Sequence, residues 1–221
     1  MKEVTNAYTG TIYIEDQPID CIFDTGSTNT WIYSQIDDFT PIDYSCSIQF
    51  GSGTLEGQFG YSDINMGDVV LKDQYFGKVR QSAVFDDSFC CIVGLAYPSM
   101  KAGSSWHIPF FDSLISDHGI TSFTFNLAIP SLEFNPDLTQ ATVSWNPVVN
   151  QLFWSLLLDK LTLEYKGEKL VLCEDKSCWV TPDSGSSALT APTWAFDKLS
   201  EVWFPAGSAC AEVMDSDLTL T

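Results

Sequence analysis

One five-residue pattern occurs twice in this chain, as Asp24-Thr25-Gly26-Ser27-Thr28 and as Asp183-Ser184-Gly185-Ser186-Ser187. Each copy reads Asp, hydroxyl, Gly, Ser, hydroxyl. The first follows the apolar pair Ile22-Phe23 and the second follows Val180-Thr181-Pro182. Asp-x-Gly alone is common in turns, but turn chemistry does not require the trailing hydroxyls. The copies stand 159 residues apart, a spacing that points to two related lobes with paired loops rather than to an array of small repeats.

Two carboxylates brought within hydrogen-bond reach cannot both ionise cheaply, so they share a proton over a broad pH range. The ionised member can take a proton from water while the neutral member donates to a peptide carbonyl, which hydrolyses the bond without a covalent intermediate. Asp24 and Asp183 are therefore the candidate catalytic residues. Gly26 and Gly185 let the two backbones approach, and the hydroxyls of Thr25, Ser27, Ser184 and Ser186 are placed to hydrogen-bond the carboxylates and the opposite loop.

The rest of the chain is dominated by short alternating segments. Tyr8 to Ile14, a turn at Gln17-Pro18, and Ile19 to Phe23 read as a hairpin with one buried face. Ser47 to Phe50, Gly60 to Met66, Val69 to Leu71, Ser122 to Ile129, Ala141 to Trp145, Leu161 to Tyr165 and Lys169 to Cys173 read as further strands. Two helices are expected. One runs from Phe110 to about His118, opened by Pro109 and ended by Gly119. The other spans roughly Thr193 to Trp203, with Phe196, Leu199, Val202 and Trp203 as its apolar face. The class is all-β, with an internal boundary between Asn135 and Asn150. Residues 1–145 would form a lobe holding the first Asp and 146–221 a partial lobe holding the second.

Ten Lys and Arg against 29 Asp and Glu give a formal charge of −19, which argues against binding a nucleic-acid backbone. A hydrophobic content of 45% with only 18% charged residues argues for a folded core rather than disorder. The longest aliphatic run, Leu156 to Leu158, is too short to span a bilayer. Met1 to Asn6 contains no apolar stretch of a secretory signal. Seven Cys suit an oxidising compartment, while the two His, 107 and 118, show no metal spacing with them. No cofactor or metal is expected, and the chain is expected to be a monomer.

At these residues the chain resembles the pepsin family of eukaryotic aspartic proteases, from about Tyr8 to its end. Tyr8 to Ile14 resembles the strand that opens the mature enzyme, and Asp24 to Ile32 (DTGSTNTWI) the first catalytic loop with its packing residue Trp31. Ile48 to Gly67 resembles the flap hairpin, placing Phe50, Gly51 and Ser52 over substrate. Phe89 to Ser99 resembles the segment whose apolar-apolar-Gly step, here Ile92, Val93 and Gly94, packs behind that loop. Trp145 to Val148 and Trp154 resemble the start of the second lobe. The resemblance implies a disulfide between Cys173 and Cys178, a bilobal all-β fold, and an endopeptidase acting on a peptide or protein substrate at acidic pH. It further implies a secreted or lysosome- or vacuole-like location.

Several positions depart from the family pattern. The chain stops 38 residues after Asp183, where the family's second lobe continues, so that lobe is expected to be incomplete and Cys210 to lack its family partner. The segment between Tyr33 and Cys46 is short and lacks the family's first small disulfide loop, so Cys21 and Cys46 either pair with each other or stay as buried thiols. Cys90 and Cys91 stand where the family usually has Asp and Gly. Phe50 replaces a Tyr, which keeps aromatic cover but removes a phenol. Pro182 cannot donate a ladder hydrogen bond, so the approach to the second loop is expected to be distorted unless it lies at an edge. A catalytically impaired relative that binds peptides or proteins is the alternative reading.

Overall fold

A computed structural model describes residues 2–4, 7–50, 53–82, 84–85, 89–101, 108–124, 145–165, 168–174, 177–203 and 219–220. The chain divides into two units, and the loop 181–187 groups with the first of them, together with residues 1–145 and 150–154.

The first unit is built on an eight-stranded sheet. Its strands are β1 (Lys2–Val4), β2 (Ala7–Ile14), β3 (Gln17–Asp24), β4 (Trp31–Ile32), β5 (Thr40–Phe50), β6 (Gly53–Met66), β7 (Val69–Ser82) and β8 (Cys91–Gly94). They run in the order β1-β2-β3-β8-β4-β7-β6-β5, with an additional pairing of β2 with β6. Alternation sets the faces. In β2, Ile12 and Ile14 are fully buried while Thr11 and Tyr13 face out, as a half-buried strand requires. The 14-residue β6 serves two clusters. Its Leu55 and Phe59 pack with Trp31, Cys46 and Val79, and its Ile64 packs with Ile12, Ile14, Ile19 and Phe76. The buried side switches between Phe59 and Gly60, opposite the register shift between Pro41 and Ser45 in the pairing with β5, as an irregular pair allows.

The first hairpin turns two residues earlier than expected. Ile14 pairs with Gln17, so the turn is Glu15-Asp16, and Pro18 lies within β3. Both turn residues have left-handed φ, 52° and 63°, as a two-residue turn matched to strand twist demands. Asn-Gly and Asp-Gly are the usual solutions, but here the Glu15 carboxylate accepts from the backbone amides of Asp37 and Asp38. Asp16→Gly should therefore stabilise the fold by about 0.5–1 kcal/mol, read as a higher urea midpoint at unchanged slope.

Helix α1 (Phe110–His118) has Pro109 at its N-cap and Gly119 at φ 65°, whose amide reaches the Ile115 carbonyl at 3.0 Å. Phe110, Phe111 and Leu114 bury its inner face. Both ends therefore match the expectation from Pro and Gly.

In the second unit β10 (Leu161–Tyr165) lies between β11 (Glu168–Leu172) and β13 (Thr219–Leu220), and β9 (Leu156–Leu158) pairs with β12 (Cys178–Val180). Cys173 and Cys178 form a disulfide. Helix α2 (Thr193–Trp203) turns Ala195, Trp194 and Leu199 toward Leu163 and Leu172. The expected apolar face is thus corrected. Phe196 is 59% exposed, because the inward stripe runs through 195 and 199, one turn apart, and 196 lies about 100° round the helix. Of the strands expected over Ser122 to Ile129 and Ala141 to Trp145, the described residues 122–124 and 145 belong to no strand; the rest of both, Cys210 and the side chains of Val202 and Trp203 lie outside the described residues.

Cys21 pairs with neither of its two expected fates. It forms a disulfide with Cys91, whereas Cys46 stays a buried thiol in the Trp31 cluster, where burial pushes its pKa up to about 11. Cys21 and Cys91 become neighbours only because β3 and β8 pair in parallel.

Candidate active site

Asp24 is the last residue of β3, and the parallel ladder with β8 sets it opposite Gly94. The amide of Leu95 donates to the Asp24 carbonyl at 2.8 Å and that of Ala96 to the Ser27 carbonyl at 2.8 Å. A Cβ on Gly94 would stand 2.2 Å from the backbone of Thr28, so the strand can pass behind the loop only as glycine. Two further bonds hold this backing in place. Thr28 Oγ1 donates to the Tyr97 carbonyl at 2.9 Å, and Trp154 Nε1 donates to the Leu95 carbonyl at 2.9 Å.

The repeated pattern then acts twice in the same way. The Gly26 amide donates to Asp24 Oδ1 at 2.8 Å and Ser27 Oγ to Oδ2. The Gly185 amide donates to Asp183 Oδ1 at 2.9 Å and Ser186 Oγ to Oδ2 at 2.8 Å. The hydroxyl after each Asp crosses to the other loop. Thr25 Oγ1 donates to the Pro182 carbonyl at 2.9 Å, and Ser184 Oγ to the Phe23 carbonyl at 2.5 Å. In return the Thr25 amide donates to Ser184 Oγ and the Ser184 amide to Thr25 Oγ1, each at 3.0 Å. The hydroxyl at the second position of each copy thus depends on the two loops meeting, while the serine at the fourth position serves the acid of its own loop.

Pro182 does not disturb this arrangement. The strand β12 ends at Val180 and residues 181–183 form no ladder, so no hydrogen bond is lost at the imino nitrogen, and the site uses the Pro182 carbonyl instead.

The glycines bring the carboxyls together. A Cβ on Gly26 would lie 2.5 Å from the Asp183 carboxyl, and one on Gly185 would lie 2.2 Å from Asp24 Oδ1. Each glycine therefore lies against the other loop's acid. Gly26→Ala and Gly185→Ala should each displace the opposing carboxyl and slow any reaction that needs both acids by about 10²-fold. Substrate turnover beside a urea midpoint separates this from unfolding.

The two acids are not equivalent. Asp24 is 8% exposed, while Asp183 is exposed. Burial pushes the Asp24 pKa up to about 6, against the opposing pull of the Ser27 and Gly26 hydrogen bonds. The Asp183 carboxyl, through its charge and a shared hydrogen bond, raises it further.

Trp31 is 1% exposed and packs in the cluster of Leu55, Phe59 and Val79, with Gly77 leaving room for its ring. The hairpin of β5 and β6 closes with Phe50 paired to Gly53. Gly51, Ser52 and the side chain of Phe50 lie outside the described residues. Leu95, Tyr97 and Trp154 were not assigned to the site from sequence. The first two act through backbone groups and carry no side-chain signal, and Trp154 becomes a site residue only through its indole bond. Among the described residues no three of His, Cys, Asp and Glu gather as metal ligands, and no described helix is long and apolar enough to cross a membrane.

The fold is all-β and pepsin-like, and its two acid-bearing loops meet through reciprocal hydrogen bonds. The model of the eukaryotic aspartyl protease family matches residues 39–211, and the chain belongs to that family. Similar curated proteins include chymosin of Callithrix jacchus, 29% identical over 84% of this chain and 55% of that protein. Cathepsin E of Mus musculus is 28% identical over 88% and 56%. Pepsin II-2/3 of Oryctolagus cuniculus is 30% identical over 87% and 56%. The chain spans about half the length of these relatives.

Proposed function

We propose that the protein is an aspartic endopeptidase in which Asp24 and Asp183 activate water between them. The observation that carries this reading is the reciprocal one: each acid is held by the glycine amide and serine hydroxyl of its own loop and abuts the glycine of the other. The pair holds one proton, and burial favours it on Asp24. The other carboxyl is then the base that takes a proton from water, while Asp24 donates to the carbonyl oxygen of the scissile peptide. No nucleophilic side chain is needed. Thr25, Ser27, Ser184 and Ser186 orient the acids, and the β5–β6 hairpin is the flap over an extended peptide or protein substrate. The division into a lobe of residues 1–145 and a partial lobe of 146–221 belongs to the same reading.

An acidic compartment or a secreted location suits this chemistry. The proton on Asp24 is retained below about pH 6, and the two disulfides fit an oxidising environment. The test is cleavage of an unfolded protein between about pH 3 and 5, inhibited by a statine-type mimic of the tetrahedral transition state. The exposure of Asp183 favours a second reading, a peptide-binding protein without turnover. Binding of the mimic with no cleavage at any pH would select it.

A further inference from the structure

We propose that the Cys21–Cys91 disulfide is a positioning cross-link that sets the register on which Asp24 is placed, making the site dependent on thiol redox state. The cross-link itself is read from the ladder, and only its effect on turnover rests on the proposed function.

The strand β8 is four residues long, and its parallel ladder with β3 pairs Cys21 with Cys91, Ile22 with Ile92, Phe23 with Val93 and Asp24 with Gly94. On its other side β8 pairs with β4 at only two positions, Trp31 with Ile92 and Ile32 with Cys91, so two short ladders and the backbone bonds at their ends hold a register that tolerates no slip. Moving β8 by one residue would set Val93 or Leu95 in place of Gly94, where even a Cβ meets the Thr28 backbone at 2.2 Å. The disulfide joins the first pair of the ladder, with Cα atoms 4.2 Å apart, and the acid occupies the last. Both sulfur-bearing residues are fully buried, so the link is shielded from solvent in the folded state.

The neighbouring thiol shows what the link excludes. Cys90 is free and half-buried, and it directly precedes Cys91. Attack of the Cys90 thiolate on the Cys21 sulfur would form Cys21–Cys90 and release Cys91 as the thiolate, an exchange that needs no outside oxidant. The product is the ladder displaced by one residue. The present backbone bonds of Cys90, its amide to the Asp20 carbonyl at 3.2 Å and its carbonyl from the Tyr33 amide at 2.7 Å, oppose that displacement. A dithiol reductant would open the link in the other sense, yielding two thiols and the oxidised dithiol.

Alkylation of the full chain unfolded in denaturant without reductant, followed by peptide mapping, should recover Cys21 and Cys91 in one linked peptide and Cys46 and Cys90 alkylated. Cys21 and Cys91 recovered alkylated from the unreduced chain would overturn the proposal. Amide exchange reads the positioning without reference to activity. In Cys21→Ala/Cys91→Ala the Leu95 and Ala96 amides, which bond to Asp24 and Ser27, should exchange about 10-fold faster or more, while the Gly119 amide of the α1 cap keeps its rate. Equal exchange at Leu95 and Ala96 in variant and parent would overturn the assignment, as would acceleration of all three alike. Cys21→Val/Cys91→Ala offers a better-filled apolar replacement should the first variant not fold, and the mapping of the parent decides in either case. In the active enzyme the double variant should also move the alkaline limb of the pH–rate profile to lower pH, because water reaching Asp24 weakens its hold on the proton. A protein that shows the exchange difference but no cleavage would reject the endopeptidase reading and leave the cross-link standing.

Discussion

Asp24→Asn should lower kcat/KM for peptide hydrolysis by about 10³-fold or more, and Asp183→Asn by a similar factor, with the fold retained. The substitution isolates chemistry from architecture. Asn keeps an Oδ1 that accepts from the Gly26 amide, as Asp24 does at 2.8 Å, and the Thr25–Ser184 crossing bonds do not involve either carboxylate. What is lost is the capacity to hold and release a proton at the site. Neither variant leaves a competent pair, because one acid cannot serve as base to water and donor to the carbonyl together. The measurement is initial rate on an unfolded protein near pH 4 for both variants and the parent, with urea midpoints alongside. Residual activity within a few-fold of the parent in either variant would sink the dyad mechanism.

The same acid should impose a pH dependence on stability of about 3 kcal/mol. The Asp24 pKa is about 6 in the folded protein against an ordinary 3.8, so between those values the folded state binds a proton that the unfolded state does not. The stabilisation is fully present below about pH 3.8 and is lost as pH rises through 6, the reverse of a salt-bridged carboxylate. At 8% exposure Asp24 is little screened by solvent. The titration belongs to the acid pair rather than to one oxygen, yet removing Asp24 removes it. The difference in unfolding free energy between the parent and Asp24→Asn should therefore shift in the parent's favour by about 3 kcal/mol on going from pH 7 to pH 3.5, measured by urea denaturation at both. Acids that do not touch the pair titrate alike in both proteins and cancel, so the difference reads the pair. A pH-independent difference would show that Asp24 ionises like an exposed carboxyl.

Local chemistry was the legible part. The ends of α1 follow from Pro109 and Gly119 because each acts on its own backbone. The repeated loop was legible because its Gly and Ser donors serve an Asp two or three residues away. Where a feature depended on a partner distant in the chain, the reading from sequence stopped short. The Glu15-Asp16 turn was missed because neither residue is a usual choice for left-handed φ, and its support comes from backbone amides at 37 and 38. Phe196 fits a helical apolar stripe as well as Ala195 does. Only the position of the Leu163–Leu172 cluster selects which side of the helix faces inward.

Order of residues along the chain thus determined the family, the all-β class and the identity of the two loops, since each rests on spacing that survives in one dimension. The Cys21–Cys91 link, the use of the Pro182 carbonyl and the unequal burial of Asp24 and Asp183 were decided by tertiary structure. Each requires a strand or loop far away in sequence to arrive at a given register. Desolvation, which raises the Asp24 pKa, is a property of everything packed around a group, and no pentapeptide encodes it.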